Sequence, residues 1–461
     1  MKTRIAPARR LGLASPITPQ STLICWQCFR NDLFLDRVQC QTRKYHPTRR
    51  KDVSPFGAAV SAAQTIFKGL PKAPPGISVD PLRIVGKELK FLSKNIRQLL
   101  GSGHPTLDKV AKYYTRSEGK HMRPLLVLLM SQATALTTPP RQHRSVSGTA
   151  STSSPSVTVN DPITSPSVLA DANPDLERIT SSSTADGQYD FAGDENILPS
   201  QRRLAEITEL IHTASLLHDD VIDNAITRRS SNSANIQFGN KMAVLAGDFL
   251  LGRASVALAR LRDPEVTELL ATVIANLVEG EFMQLKNTAE DEKNPVFTDE
   301  TISYYLQKTY LKTASLISKS CRAAALLGHS TPEVVEAAYS YGRNLGLAFQ
   351  LVDDMLDYTV SGVELGKPAG ADLELGLATA PLLFAWKQNP ELGPLVGRKF
   401  SQEGDVQRAR DLVYRSNGVE QTRALAQEYA DKAIAAISIF PDSEAKSGLI
   451  EMCVKAMNRR K

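Results

Sequence analysis

The chain twice sets three acids into apolar sequence with the same spacing. The first stretch reads Leu216-Leu217-His218-Asp219-Asp220-Val221-Ile222-Asp223, the second Phe349-Gln350-Leu351-Val352-Asp353-Asp354-Met355-Leu356-Asp357. On a helix, positions i and i+4 share a face, so Asp219 stands beside Asp223 and Asp353 beside Asp357. Carboxylates among Leu, Val and Ile are expensive to desolvate without a counter-charge. Oxygen ligands at this spacing suit Mg2+, which seldom takes a full protein cage and shares its shell with water and substrate phosphates. The two motifs therefore point to a diphosphate held between two helices.

Bases are placed to complete such a site. Arg228-Arg229 follows the first motif by five residues, and guanidinium groups clamp phosphate oxygens in pairs. Gly119-Lys120-His121-Met122-Arg123-Pro124 lies upstream, Lys312-Thr313 falls in a helical stretch, Gln350 stands three residues before Asp353, and Lys367 follows the second motif. Two kinds of phosphate site result. One is bridged by metal on Asp219, Asp223 and Asp353; the other needs only bases, from Lys120, Arg123 and Arg229. Metal and bases stabilise charge gathering on a leaving diphosphate, whereas the second diphosphate is merely held. This asymmetry fits ionisation of an allylic diphosphate followed by attack from a second, non-ionising diphosphate.

The elements that position these residues read as helices. Apolar residues recur at helical spacing over 204–223, 242–261, 266–285, 302–327, 334–357 and 424–439, with breaks at Asp263-Pro264, Asn294-Pro295, Thr331-Pro332 and Gly366-Lys367-Pro368. Strand-type alternation is scarce, so an all-α body of many long helices is expected. Several of the helices are apolar almost all round, which suits the centre of a large bundle. Residues 137–196, crowded with Ser, Thr, Pro and Asp, lack periodic apolar positions and read as a disordered insertion. Residues 79–461 otherwise form the catalytic domain.

Of 461 residues, 42% are hydrophobic, enough for a large core, and the net charge is +6. That charge is uneven. Residues 1–51 hold eleven Lys/Arg against Asp32 and Asp36, while the other 410 carry 44 bases and 47 acids. The near-neutral body argues against nucleic acid as a partner. The Arg-rich, acid-poor leader has the composition of an organellar transit peptide. No run of 18 apolar residues occurs, so no transmembrane helix is expected. Cys25, Cys28 and Cys40 lie in the leader, and Cys321 and Cys453 alone in the body, so no disulfide framework is indicated.

Taken in order, these motifs resemble the trans-isoprenyl diphosphate synthases, and within them the long-chain polyprenyl diphosphate synthases. Besides those already quoted, the likeness rests on His212-Thr213-Ala214-Ser215 ahead of the first acidic motif, Ala246-Gly247-Asp248, Glu279-Gly280-Glu281 and Lys312-Thr313-Ala314. It covers 81–133 and 198–461. The resemblance implies the isoprenoid synthase fold, a single bundle of long helices around a central cavity. It implies that Asp219, Asp223 and Asp353 bind Mg2+ bridging the allylic diphosphate, farnesyl or geranylgeranyl diphosphate. It implies that Lys120, Arg123, His212 and Arg229 hold isopentenyl diphosphate, and that Arg228, Lys312, Thr313 and Gln350 contact the allylic partner. A homodimer or a heteromer is compatible with the same likeness, as is peripheral inner-membrane contact; the transit-like leader taken with a long-chain pocket points to the mitochondrial matrix and to the side chain of ubiquinone. Glu118 stands where a second Gly is common, and Ser230 where Gly usually follows the Arg pair; neither change removes a charged ligand.

Product length has a physical reading. Ser215 and Ala214, four and five residues before Asp219, lie about one turn down the helix, roughly 5.4 Å below the metals. Both are small, so the first turn of the tail channel is open, and Ile211 and Leu210 follow below. This weighs against a short-chain synthase. The complete isopentenyl set weighs against a terpene cyclase, and the intact motifs weigh against a non-catalytic subunit.

Overall fold

The computed structural model describes residues 80–100, 102, 104–114, 121–137, 194–228, 231–285, 295–359 and 370–459. All fall in one compact unit, Gly76–Lys461. The leader, and all of the expected insertion except its two ends, lie outside the described residues.

The helices, in chain order, are α1 (Pro81–Ile84), α2 (Gly86–Leu99), α3 (Pro105–Ala111), α4 (Met122–Ala135), α5 (Pro199–Ile222), α6 (Ala234–Phe238), α7 (Asn240–Arg260), α8 (Pro264–Leu285), α9 (Asp299–Thr309), α10 (Ser315–Leu327), α11 (Pro332–Thr359), α12 (Ala371–Glu374), α13 (Ala380–Gln388), α14 (Leu392–Gly397), α15 (Asp405–Arg415), α16 (Gly418–Ala436) and α17 (Glu444–Met457). A two-residue hairpin, β1 (Thr227–Arg228) with β2 (Ser231–Asn232), is the one sheet among the described residues. The body is all-α, as its periodicity predicts. Proline opens α5, α8 and α11, where its missing N–H costs nothing. The Asp263 carboxylate caps α8 by accepting from the Val266 N–H at 2.9 Å.

Two cores share α11. Its first half (Val335, Ala338, Tyr341, Leu345) joins α4, α5, α7 and α10 in the larger core. Its second half (Leu351, Val352, Met355, Tyr358) joins α13 to α16 in the smaller. The second acidic motif thus rides on a helix gripped along its whole length.

Three sequence expectations need correction. The periodic stretch 302–327 is not one α-helix: Tyr310–Ala314 forms a π-helical turn between α9 and α10. The expected insertion ends earlier than residue 196. Gln132 donates to the Asp194 carboxylate at 2.6 Å, the Asp194 N–H donates to Glu88 at 2.8 Å, and Arg202 donates to the Asp194 carbonyl at 2.8 Å. Those bonds also bring the two ends of the insertion together. Finally, α7 is long and apolar enough by composition to cross a membrane, yet more than half of its apolar stretch is not buried inside the chain. It is therefore not wholly central: one face packs on α5 and the other is open.

Candidate active site

Both acidic motifs lie at helix C-termini. Asp219 and Asp220 occupy the last turn of α5, Asp223 caps it, and Asp353, Asp354 and Asp357 stand in the last two turns of α11. The carbonyl end of a helix is its negative pole, so acids there are electrostatically misplaced unless a cation joins them. Burial pushes the Asp219 carboxyl up to about 6; Glu281 and Asp223 push the same way, and Lys312 opposes them. Burial likewise raises Asp223, again against Lys312. Both side chains remain partly open. Among the described residues no group of three His, Cys, Asp or Glu is close enough to hold a metal alone. The donor set is hard oxygen, one or two carboxylates to an ion, which is what Mg2+ takes when phosphate and water complete its shell.

The middle acid has another task. Asp220 is fully buried. Its Oδ1 accepts from Arg228 Nε and Nη2, both at 2.6 Å, and its Oδ2 accepts from the Tyr114 hydroxyl. Asp357, also fully buried, accepts from the Asp372 N–H at 3.2 Å and so anchors the chain returning toward α12.

Opposite the first motif, the π-helical turn presents Lys312 and Thr313. Lys312 forms an ion pair with Glu281 of α8 at 2.6 Å. The Thr313 hydroxyl donates to Gln350 at 2.9 Å, Gln350 donates to Asp354 at 2.9 Å, and the Tyr305 hydroxyl donates to the other oxygen of Asp354 at 2.5 Å. Burial raises the Asp354 carboxyl above its ordinary value. Two glycines let neighbouring helices close on this turn. A Cβ at Gly280 would lie 2.9 Å from the Lys312 backbone nitrogen, and one at Gly346 would lie 2.6 Å from Ala314 Cα.

Asp353 is a surface-side carboxylate of this helix. It accepts from Arg459 at 2.6 Å, and the same guanidinium lies 4.6 Å over the Phe349 ring. The isopentenyl set is partly described. Arg123 meets His212 at 2.9 Å, joining α4 to α5, and His121, at φ 36°, meets Glu209 at 3.2 Å. Lys120 and Arg229 lie outside the described residues, as do Glu118, Ser230 and 366–368. Below the acids, Ala214 is fully buried, whereas Ser215 is partly open and its hydroxyl bonds to the His212 carbonyl. Sequence reasoning assigned no role to Glu281, Asp354, Tyr114 or Arg459. For Glu281 a signal existed, an acid beside a glycine in an apolar helix; Tyr114 and Arg459 have none, because their partners are distant in the chain.

Residues 180–413 match the profile of the polyprenyl synthetase family. The chain is 66% identical to a probable mitochondrial hexaprenyl pyrophosphate synthase of Neurospora crassa, over 92% of each chain. It is 46% identical to the mitochondrial hexaprenyl pyrophosphate synthase of Saccharomyces cerevisiae, covering 88% of this chain and 95% of that one. Among solved structures it resembles a polyprenyl synthase of Caulobacter crescentus complexed with calcium and isoprenyl diphosphate, with TM-score 0.65 and 28% identity, over 85% of this chain and all of that one.

Proposed function

The chain belongs to the polyprenyl synthetase family, and we propose from that membership the full reading of its site: Mg2+-dependent, successive head-to-tail condensation of isopentenyl diphosphate onto an allylic diphosphate. It is an all-trans polyprenyl diphosphate synthase of the mitochondrion, making the long side chain of ubiquinone. The observation that carries the residue-level reading is the half-buried Asp219–Asp223 pair, raised by burial and facing Lys312. A site that destabilises its own carboxylates is built to receive positive charge.

Asp219, Asp223 and Asp353 would hold Mg2+, which supplies charge to offset that gathering on a departing diphosphate. Lys312, Arg228, Thr313 and Gln350 bind and orient the allylic diphosphate, so that its carbon–oxygen bond breaks toward the bases. Glu281 keeps Lys312 extended into the site. Lys120, Arg123, His212 and Arg229 hold isopentenyl diphosphate, whose double bond attacks the allylic carbon as the diphosphate leaves and which then gives up a proton to that released diphosphate, restoring an allylic double bond. The lengthening tail runs down α5 past Ser215. Asp353, which pairs with Arg459 in this structure, would have to leave that guanidinium to hold metal.

The open face of α7 and α8 is read as the seat of a second copy. Leu245, Val256, Val278 and Phe282 are 59%, 43%, 52% and 62% exposed. Ala259, Ala271 and Ala275 are exposed beside them, so two helix pairs can approach closely. Aromatic and aliphatic side chains displayed together mark an association surface. A homodimer matches this better than a membrane span, since Asp248 sits mid-helix and Arg253 one turn on.

The test is chain length. Protein lacking the leader is given farnesyl diphosphate and labelled isopentenyl diphosphate with Mg2+, and products are sized by chromatography. Long all-trans products are expected from the wild type, and shorter ones from Ser215→Phe or Ala214→Phe. Only short products from the wild type would overturn the long-chain reading; unchanged products from both variants would move the tail away from α5.

A further inference from the structure

Two adjacent tyrosines just beyond α3 flank the hairpin that carries Arg228: Tyr113 bonds to the hairpin itself, and Tyr114 to residues before and after it in the chain. The Tyr113 hydroxyl donates to the Asn232 carbonyl at 2.9 Å, and its ring stacks edge-on against Phe238 with centroids 5.1 Å apart. The Tyr114 hydroxyl uses both of its capacities. It donates to Asp220 Oδ2 and accepts from the Ala234 N–H at 2.8 Å, at the first residue of α6. Tyr114 is 7% exposed and Asp220 is 0% exposed. The outgoing limb is clipped separately, by the Ala225 N–H donating to the Asp220 carbonyl at 3.0 Å. Asp220 therefore stands at the middle of a buried relay whose far end is the guanidinium of Arg228.

We infer that Tyr114 is a positioning residue for the allylic diphosphate, acting through Asp220 to fix the direction of Arg228. The inference rests on the reading of Arg228 as an allylic-diphosphate contact. An arginine side chain is long and flexible, and held by one carboxylate alone it still turns with that carboxylate. The second oxygen of Asp220 is immobilised by the phenol, which is in turn immobilised by the backbone of α6. That fixes the plane of the carboxylate, and with it the plane of the guanidinium fork. A fork set in advance binds an anion without first being ordered. The relay also gives a task to the middle acid of the first motif, which is sealed in while Asp219 and Asp223 stay partly open.

Tyr114→Phe keeps the ring and removes the relay. The KM for the allylic diphosphate should rise about 10-fold, the scale of one lost buried hydrogen bond to a charged group. The KM for isopentenyl diphosphate should change less than that for the allylic diphosphate, because Arg123 and His212 are anchored on each other. Arg228→Gln should raise the allylic KM by itself, and adding Tyr114→Phe to it should raise that KM no further, since the relay then ends on nothing. Additive effects of the two changes, or equal shifts for both substrates, overturn the inference while leaving the role of Arg228 standing. An Arg228→Gln variant with an unchanged allylic KM removes both. If Tyr114→Phe does not fold, Asp220→Asn interrupts the same relay, and the same split between the two substrates decides the matter.

Discussion

The three acids of the first motif have identical chemistry and different work, and burial separates them. Asp219 and Asp223 stay partly open and are pushed toward protonation; Asp220 is sealed in and satisfied by Arg228 and Tyr114. The sign of the Asp219 shift gives a prediction for metal-free protein. Its folded value of about 6 exceeds the ordinary 3.8, so the folded state binds more protons than the unfolded one between those values. Stability from this group is full below 3.8 and is lost as pH rises toward 6. Asp219→Asn removes that loss. In chelator, the variant should gain on wild type progressively from pH 4 to pH 6 and hold a constant lead above it, of about 3 kcal/mol if the whole shift is realised. Urea midpoints measured across that range check it; a lead that keeps growing above pH 7 would assign the effect to another group. Spacing alone made the pair Asp219 and Asp223 legible, because i and i+4 fall together on any helix. It could not separate Asp220 from its neighbours, since the residue that seals it, Tyr114, lies 106 positions away. The pairing of Asp353 with Arg459 escaped sequence reasoning for the same reason.

At the scale of elements, periodicity located the ends of the long helices to within six residues, and the Asp263-Pro264 and Thr331-Pro332 breaks became helix starts. It missed the π-helical turn because a single widened turn leaves the apolar spacing around it intact. The turn is packed closely from two sides. Gly280 of α8 faces the Lys312 backbone nitrogen, and Gly346 of α11 faces Ala314 Cα. Wider turns of this kind are frequent at functional sites; here the turn places Lys312 toward Glu281 and Asp219 while Thr313 reaches Gln350. Gly346→Ala would put a methyl group 2.6 Å from Ala314 Cα, backbone that cannot give way cheaply. Turnover should fall by at least about 10-fold with a cost of about 1–3 kcal/mol in stability, the usual range for overpacking. The telling comparison is Gly86→Ala, where nothing lies within 4 Å: its activity should match wild type, and equal losses in both variants would mean that glycine flexibility, not the clasp on the turn, is at stake.

Over the whole molecule the site is assembled from both cores, since α5 belongs to the larger and the second half of α11 to the smaller. α7 packs against α5, and its exposure is the feature that apolar content alone misrepresents. A helix apolar all round reads as central to a bundle, yet Leu245 and Val256 are open, as are Val278 and Phe282 on α8. Burying that face against a second copy would make α7 central after all, in the dimer rather than in the chain. It would also brace the side of α7 opposite the one that packs on α5, so assembly and activity should be linked. Light scattering on wild type should give twice the chain mass. Val278→Lys combined with Phe282→Lys places two like charges in the middle of the face, where desolvating them without partners costs several kcal/mol. That variant should run as a monomer at micromolar concentration, with its helical circular dichroism retained and its turnover reduced. A wild type that is already monomeric would leave the face without its proposed occupant. A charged variant that stays dimeric would place the subunit contact on another surface.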